Sequence, residues 1–406
     1  MRFDPIYSEV EYEKEEVASN SSNWRVLTTE YISQAKEICG YLFRDLDQET
    51  AITDVAFTPT RSRAILAHTG FGKTFVFLVP MIAYKIGGGG EHFVHLVLMP
   101  YRFLAEQMKT RLRRYLHVID AYEHRLFSDG VDVIVGVFDC LRNREFVNFI
   151  LNFQNLPCGR NSRLGMVVID EAQVLNEEYK FRNFSNLRYE CLKVFFKVVC
   201  LGATLGRDFC RMNSRTLLLP VMMNCVRELP NCNVYMDQRV GDSRELMYVK
   251  LKQYVKNFVN YYPDDLVLVY YDWKETLYAH EAELRRSYGD GVVTVTADIE
   301  DMEGVQDVVR TAKVVLATKS FSCGIDLPNI RAIVFFDTDV PVAEMIQVIG
   351  RARNKVSHMV ELYSNRDPDE VRCFRQQMAA FYGIRAACNN CCGVVDAEHE
   401  DMLRKL

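Results

Sequence analysis

Apolar positions in this chain fall into short continuous runs, separated by longer stretches in which apolar residues recur at helical spacing. The runs Arg63–Leu66, Phe93–Met99, Val131–Val137, Met166–Ile169 and Val198–Leu201 read as strands, and Met166–Ile169 has the uninterrupted apolar character of a strand buried on both faces of a parallel sheet. Phe75–Val79 starts a buried helix, and Trp24–Cys39 also has a helical pattern. Val147–Arg163, with Pro157, Gly159 and Asn161, reads as loop. A second set follows. Asp265–Tyr271, Gly291–Thr296, Val314–Ala317 and Ala332–Phe336 read as strands, interleaved with helices at about Glu275–Tyr288, Val305–Thr311 and from Glu344 to Ile349. Strands alternating with helices in both halves predict an α/β chain of two tandem parallel-sheet domains. The junction is expected near Pro220–Pro230. This gives a first domain over 23–225, a second over 226–372, and a short helical, Cys-rich segment over 373–406. Residues 1–22, acidic and then Ser/Asn-rich, are expected to form a disordered tail.

Composition agrees with that picture: 406 residues, 49% hydrophobic and 25% charged, suit two globular domains. The net charge of −5 means that any nucleic-acid footprint has to be local. The longest apolar run, Phe75–Tyr84, is too short to span a bilayer, so no membrane role is expected. Thirteen cysteines scattered through apolar segments suggest reduced thiols in an intracellular protein. Cys373, Cys388 and Cys391 have near-zinc spacing, but the fourth expected position is Val394, so bound Zn²⁺ and free thiols both remain open.

The chemistry concentrates where strands end. Strand Arg63–Leu66 leads into Ala67-His68-Thr69-Gly70-Phe71-Gly72-Lys73-Thr74, and a helix follows. Strand, glycine turn and helix are the context that makes Gly-Lys-Thr a phosphate loop: glycines let backbone N–H groups wrap an oxyanion at the positive end of a helix. Thr69, Gly70, Gly72 and Lys73 would cradle ATP, with Lys73 on the β- and γ-phosphates and the Thr74 hydroxyl on Mg²⁺. Upstream, the Gln48 amide has the paired donor and acceptor needed to read adenine. Met166–Ile169 delivers Asp170-Glu171-Ala172-Gln173. Asp170 would hold Mg²⁺ through water, and Glu171 would polarise the attacking water. Tyr101 and Arg102, at the end of another strand, suit backbone phosphates, as do Thr318 and Lys319. The basic run Lys109, Arg111, Arg113 and Arg114 reads equally as phosphate contacts or as a solvated helix face.

Taken in order, the loop Ala67–Thr74, Pro100-Tyr101-Arg102 with Gln107, Asp170–Gln173, Gly202-Ala203-Thr204, Thr318–Asp326 and Gln347–Arg353 resemble the core of the second helicase superfamily. Phe43-Arg44 with Gln48, and the segment Gly324–Arg331, resemble the RecQ branch. The sequences Thr69–Thr74, Gly350–Arg353 and Phe381-Tyr382-Gly383 with Cys391-Cys392-Gly393 look like the helicases encoded in the subtelomeric Y′ elements of budding yeasts. This resemblance implies two RecA-like domains with ATP in the cleft between them. It further implies Gly324 and Asp326 at the nucleotide, Arg351 and Arg353 as catalytic arginines reaching the γ-phosphate, and Gln173 and Thr204 coupling the domains. The implied protein is a nuclear, ATP- and Mg²⁺-dependent DNA helicase, moving 3′ to 5′ on single-stranded or tailed duplex DNA near telomeres. Alternatives are an RNA-dependent ATPase of the same core, or a decayed protein that binds ATP or DNA without coupling them. Gln173 stands where RecQ proteins have His, and Asn354 stands where their second arginine falls.

Overall fold

The computed structural model describes residues 28–40, 46–57, 62–87, 91–128, 130–156, 162–177, 187–206, 208–217, 221–226, 235–240, 243–296, 302–318, 329–337, 340–350, 358–363 and 374–384. The chain divides into two units, one ending at Val226 and the other beginning at Arg227.

The first unit opens with helices α1 (Thr29–Ile38) and α2 (Leu46–Phe57), then strand β1 (Arg63–Leu66), helix α3 (Lys73–Gly87), β2 (His92–Met99) and α4 (Arg102–Leu112). It continues with β3 (Val118–Asp120), β4 (Val133–Val137), α5 (Arg144–Leu151), β5 (Ser162–Ile169), α6 (Val174–Glu177), β6 (Lys197–Gly202), α7 (Phe209–Leu217) and β7 (Val221–Asn224). Seven strands form one sheet in the order β3-β4-β2-β5-β6-β1-β7, and every pairing in it is parallel. A parallel sheet needs crossover helices on its faces. Helix α3 fills that role, and its uniformly apolar sequence has a simple reason: every residue from Thr74 to Tyr84 except Phe75 is buried. Pro80 removes one N–H from the helix interior, at a buried position. The core beneath it joins Val76, Phe77, Val79 and Ile82 to Val97, Val135, Val168 and Leu201 of four strands. Full burial of each such side chain contributes about 1.5–3 kcal/mol.

The stretch expected as loop over 147–163 differs. Residues up to Leu151 complete α5, whose Asn143 cap accepts from Glu145 N and Phe146 N while Phe146, Val147 and Ile150 turn inward. Pro157 and Gly159, which suggested loop, come after that helix has ended.

The second unit carries β8 (Tyr235–Val240), α8 (Arg244–Tyr261), β9 (Leu266–Tyr270), α9 (Lys274–Tyr288), β10 (Val292–Val295), α10 (Met302–Thr311), β11 (Val314–Ala317), β12 (Ile330–Phe336), α11 (Val342–Ile349), β13 (His358–Tyr363) and α12 (Phe374–Tyr382). Its six strands, again all parallel, run β10-β11-β9-β12-β13-β8. The sheet packs on α8 through Met247, Leu251, Tyr254, Val255 and Phe258. Both units are therefore α/β with fully parallel sheets. No described helix is long and apolar enough to cross a membrane.

Candidate nucleotide and nucleic-acid site

In an open parallel sheet, ligands bind beyond the carboxyl ends of the strands. In the first unit that edge gathers the ends of β1, β5 and β6, which are neighbours or next-neighbours in the sheet. From β1 the chain enters the glycine loop. Ala67 N donates to Gly202 O at 3.0 Å, tying the loop to the end of β6. Gly70 and Gly72 take φ of 83° and 84°, a left-handed backbone that glycine adopts without a Cβ penalty. Phe71 between them is 2% exposed, so its ring anchors the loop in the core. Phe75 N donates back to Gly72 O at 2.9 Å, and α3 begins at Lys73. Thr69 is held from the side by His68, whose Nδ1 lies 2.7 Å from the Thr69 carbonyl.

Gln48 sits on α2, fully buried, and its amide donates to the Phe71 carbonyl. The side chain assigned to adenine thus touches the phosphate loop directly. Helix α2 is fixed in turn by a two-pronged ion pair, Arg63 Nε to Asp54 Oδ2 at 2.6 Å and Nη2 to Oδ1 at 3.2 Å. Lys197 of β6 adds a hydrogen bond to the Val55 carbonyl.

The carboxylates arrive on β5. Glu171 has φ +48°, an unusual conformation for a residue with a side chain, at the point where the strand breaks into the turn. Its two oxygens meet different partners: Oε1 is 3.6 Å from Lys73 Nζ, and Oε2 accepts from Gln173 Nε2 at 2.7 Å. Asp170 is buried and accepts from Glu171 N at 3.0 Å. Burial first, then the neighbouring Glu171 charge, push the Asp170 carboxyl above the usual carboxylate range, against the pull of Lys73 and Arg111. A buried acid so placed is a common mark of a functional site.

Gln173 is 3% exposed, and its Oε1 has no hydrogen-bond partner among the described residues. That oxygen lies over Gly202: a Cβ there would stand 2.3 Å from it. Thr204, two residues on, is buried.

Arg111, left open in the sequence, is the residue that sequence reasoning did not place. Its Nη1 donates to Thr74 Oγ1 at 2.8 Å, and its charge is felt at Asp170. A guanidinium standing at the hydroxyl and near the carboxylate shows that this donor set suits a cation. Thr74 and Asp170 are the groups that would hold Mg²⁺ beside a polyphosphate, where the ion would neutralise developing charge.

At the start of α4, Tyr101 lies against the core and stacks on Phe103 with centroids 5.9 Å apart, while Arg102 is exposed. Arg102 lines a cavity of about 320 Å³ with Ala105, Glu106, Asp120, Tyr122 and Val137. In the second unit Thr318 ends β11, buried, with its N–H on Val295 O at 3.2 Å. Lys319, Gly324, Asp326, Arg351 and Arg353 lie outside the described residues, as do Cys373, Cys388 and Cys391. Among the described residues no three His, Cys, Asp or Glu side chains converge as a metal-binding group.

Comparison with known proteins then bears on identity. Residues 45–212 match the DEAD/DEAH box helicase family, and residues 249–355 match the helicase conserved C-terminal domain. A Y′ element ATP-dependent helicase of Saccharomyces cerevisiae is 21% identical over 424 residues, which cover 86% of this chain and 23% of that protein. The chain thus spans about a quarter of that curated relative's length. Among solved structures, S. cerevisiae Dbp5 bound to RNA and ADP BeF3 superposes with a TM-score of 0.63 at 16% identity, covering 88% of this chain and 92% of that one. The DUF1998 helicase MrfA bound to DNA and AMPPNP gives 0.63 at 14% identity, covering 87% of this chain and 52% of that one. At these identities the likeness is one of fold, that of two tandem RecA-like domains. The two matches fall in order on the two parallel-sheet units, so the chain carries a DEAD/DEAH box helicase domain followed by a helicase conserved C-terminal domain.

Proposed function

We propose that the chain is the motor core of an ATP-dependent DNA helicase or translocase of RecQ-like type, moving 3′ to 5′ and acting on telomere-proximal DNA in the nucleus. One observation carries the ATP-driven part: Lys73, Thr74, Asp170, Glu171 and Gln173 converge on one sheet edge, with Glu171 held between Lys73 and Gln173. When nucleotide binds, Lys73 is the group that transfers from Glu171 to phosphate, which frees a Glu171 oxygen to orient water. Asp170 and Thr74 would hold Mg²⁺, and Gln48 would bind adenine from its place on the loop. Arg102 and Thr318, with Lys319, would contact backbone phosphates, so affinity should fall with salt and depend little on sequence.

DNA as the strand is supported by the likeness to Y′ element helicases and by a DNA-bound helicase of the same fold. A second reading, an RNA-dependent ATPase, is supported by the RNA-bound Dbp5 structure. The 2′-hydroxyl separates the two. ATPase rates are therefore measured alone and with matched DNA and RNA strands, and strand displacement on tailed duplexes. Stimulation by DNA over RNA is expected, with turnover falling about 10²–10⁴-fold in Glu171→Gln and collapsing in Lys73→Ala. Unchanged turnover in both variants refutes the assignment.

A further inference from the structure

Thr74 Oγ1 serves two cations. The proposed function assigns it to Mg²⁺, and in this structure it accepts a hydrogen bond from Arg111 Nη1 at 2.8 Å. Arg111 has little reason to be there if it is only a solvated side chain on the outer face of α4. Its neighbours Arg113 and Arg114 are exposed, as Arg111 is overall, yet its guanidinium reaches back to the first turn of α3 and adds positive charge near Asp170. Asp170 is buried and lies beside the Glu171 carboxylate, so the pair needs a cation close by. Lys73 supplies one, at Glu171 Oε1, 3.6 Å away. Arg111 supplies another, at Thr74 Oγ1 with its charge reaching Asp170.

We propose, resting on the nucleotide-site reading above, that Arg111 is a positioning residue that competes with the divalent cation for Thr74. The site then has two forms, one in which the guanidinium holds the Thr74 hydroxyl and one in which Mg²⁺ does. Both cannot sit there closely: a guanidinium and a doubly charged ion near one buried carboxylate repel, and the guanidinium has to swing outward for the metal to enter. Such a swing is feasible because Arg111 is near the last turn of α4, with a long side chain bordering solvent, and no other hydrogen bond or ion pair of its guanidinium is found among the described residues. Two consequences follow. Mg²⁺ dependence of nucleotide binding is set partly by Arg111. The same residue assists nucleotide binding when metal is scarce, because its charge then stands in near the phosphates.

Fluorescent ATP-analogue binding, followed by anisotropy during Mg²⁺ titration and separately in excess chelator, tests this in the full chain. Wild type is compared with Arg111→Gln and Arg111→Lys; because Arg111 is exposed, thermal melting of each variant is expected to match wild type. In Arg111→Gln the Mg²⁺ concentration at half-saturation falls about tenfold, the size expected for loss of one charge-assisted hydrogen bond, while binding in chelator weakens. Arg111→Lys, which keeps the charge but not the planar fork, lies between the two. This opposite response with and without metal is not produced by a merely structural role. Equal Mg²⁺ dependence in wild type and Arg111→Gln, or a change of the same sign in both conditions, overturns the inference while leaving the nucleotide site intact. Wild-type protein that binds no nucleotide at any Mg²⁺ concentration overturns the nucleotide-site reading and this inference with it.

Discussion

Gly202 is a small residue on which three pieces of the site close, and adding one methyl group there tests how they are held. Its carbonyl receives Ala67 N from the phosphate loop, and its Cα lies under the Gln173 amide. In Gly202→Ala the new Cβ would be 2.3 Å from Gln173 Oε1 and 2.9 Å and 3.0 Å from Leu205 Cδ2 and Cγ. Ordinary contact begins near 3.4 Å, so the amide has to retreat by about 1 Å. It is not free to do so, because Nε2 of the same amide is bonded to Glu171 Oε2 at 2.7 Å. Two costs result: overpacking of about 1–3 kcal/mol, and a weakened hydrogen bond to a charged group, about 1.5–3 kcal/mol if lost outright. Partial relaxation leaves an expected total of about 2–3 kcal/mol, or a fall in the melting midpoint of the first unit of about 4–12 °C. ATP turnover should fall as well, since Glu171 loses its restraint from Gln173. The decisive assay is a double-mutant cycle with Gln173→Ala, followed by urea unfolding of the full chain. If the amide is the obstacle, Gly202→Ala costs at least about 1 kcal/mol less in the Gln173→Ala background. Equal costs in both backgrounds refute the reasoning and place the strain on Leu205 instead.

Two further outcomes are expected. Lys197 is buried, and burial first, then Arg63, lower its ammonium to about 7 against the help of Asp54. Between that value and the ordinary lysine range the unfolded chain binds the extra proton, so stability of the first unit should rise with pH from about 7 to 10. Lys197→Met should flatten that slope in melts at several pH values, and an unchanged slope assigns the titration elsewhere. Gln48→Ala removes the side chain that joins α2 to the Phe71 carbonyl; nucleotide affinity should drop about tenfold by calorimetric titration, with the melting midpoint of the second unit unmoved, and wild-type affinity would show that the Gln48 contact is dispensable.

Central strands were legible because burial on both faces writes them as nearly unbroken apolar runs: β2, β5, β6, β9 and β11 can be read off Phe93–Met99, Met166–Ile169, Val198–Leu201, Asp265–Tyr271 and Val314–Ala317. Of the edge strands only β10 was read, as Gly291–Thr296. β3 has three residues, β7 follows Pro220 in the stretch taken as the domain junction, and β8 carries Asp237 and Arg239, so these three were missed. Helix α8 was passed over although Met247, Leu251, Tyr254, Val255 and Phe258 have helical spacing and Ser243 caps it with a bond to Leu246 N at 3.3 Å. Interspersed lysines and tyrosines diluted that pattern. In the site, the loop and the Asp-Glu pair stand out because their residue types and order are constrained by phosphate and metal chemistry. Arg111 does not, because contact with Thr74 depends on how two helices pack, and the sequence holds no mark of an arginine that turns inward rather than out. The hold of Gln48 on Phe71 is likewise a tertiary contact between residues 23 apart.

The second sheet has a consequence for how the chain is made. Among the described strands its first, β8, pairs with its last, β13, alone, through Tyr235↔His358 to Val240↔Tyr363. About 120 residues separate them, and at about 5–20 residues per second a ribosome takes roughly 6–24 s to supply the partner. During that interval β8 is a strand whose ladder partner does not yet exist. The second unit therefore closes its sheet late, when residue 363 has emerged, whereas the first can complete its own once Asn224 is available to lie beside β1.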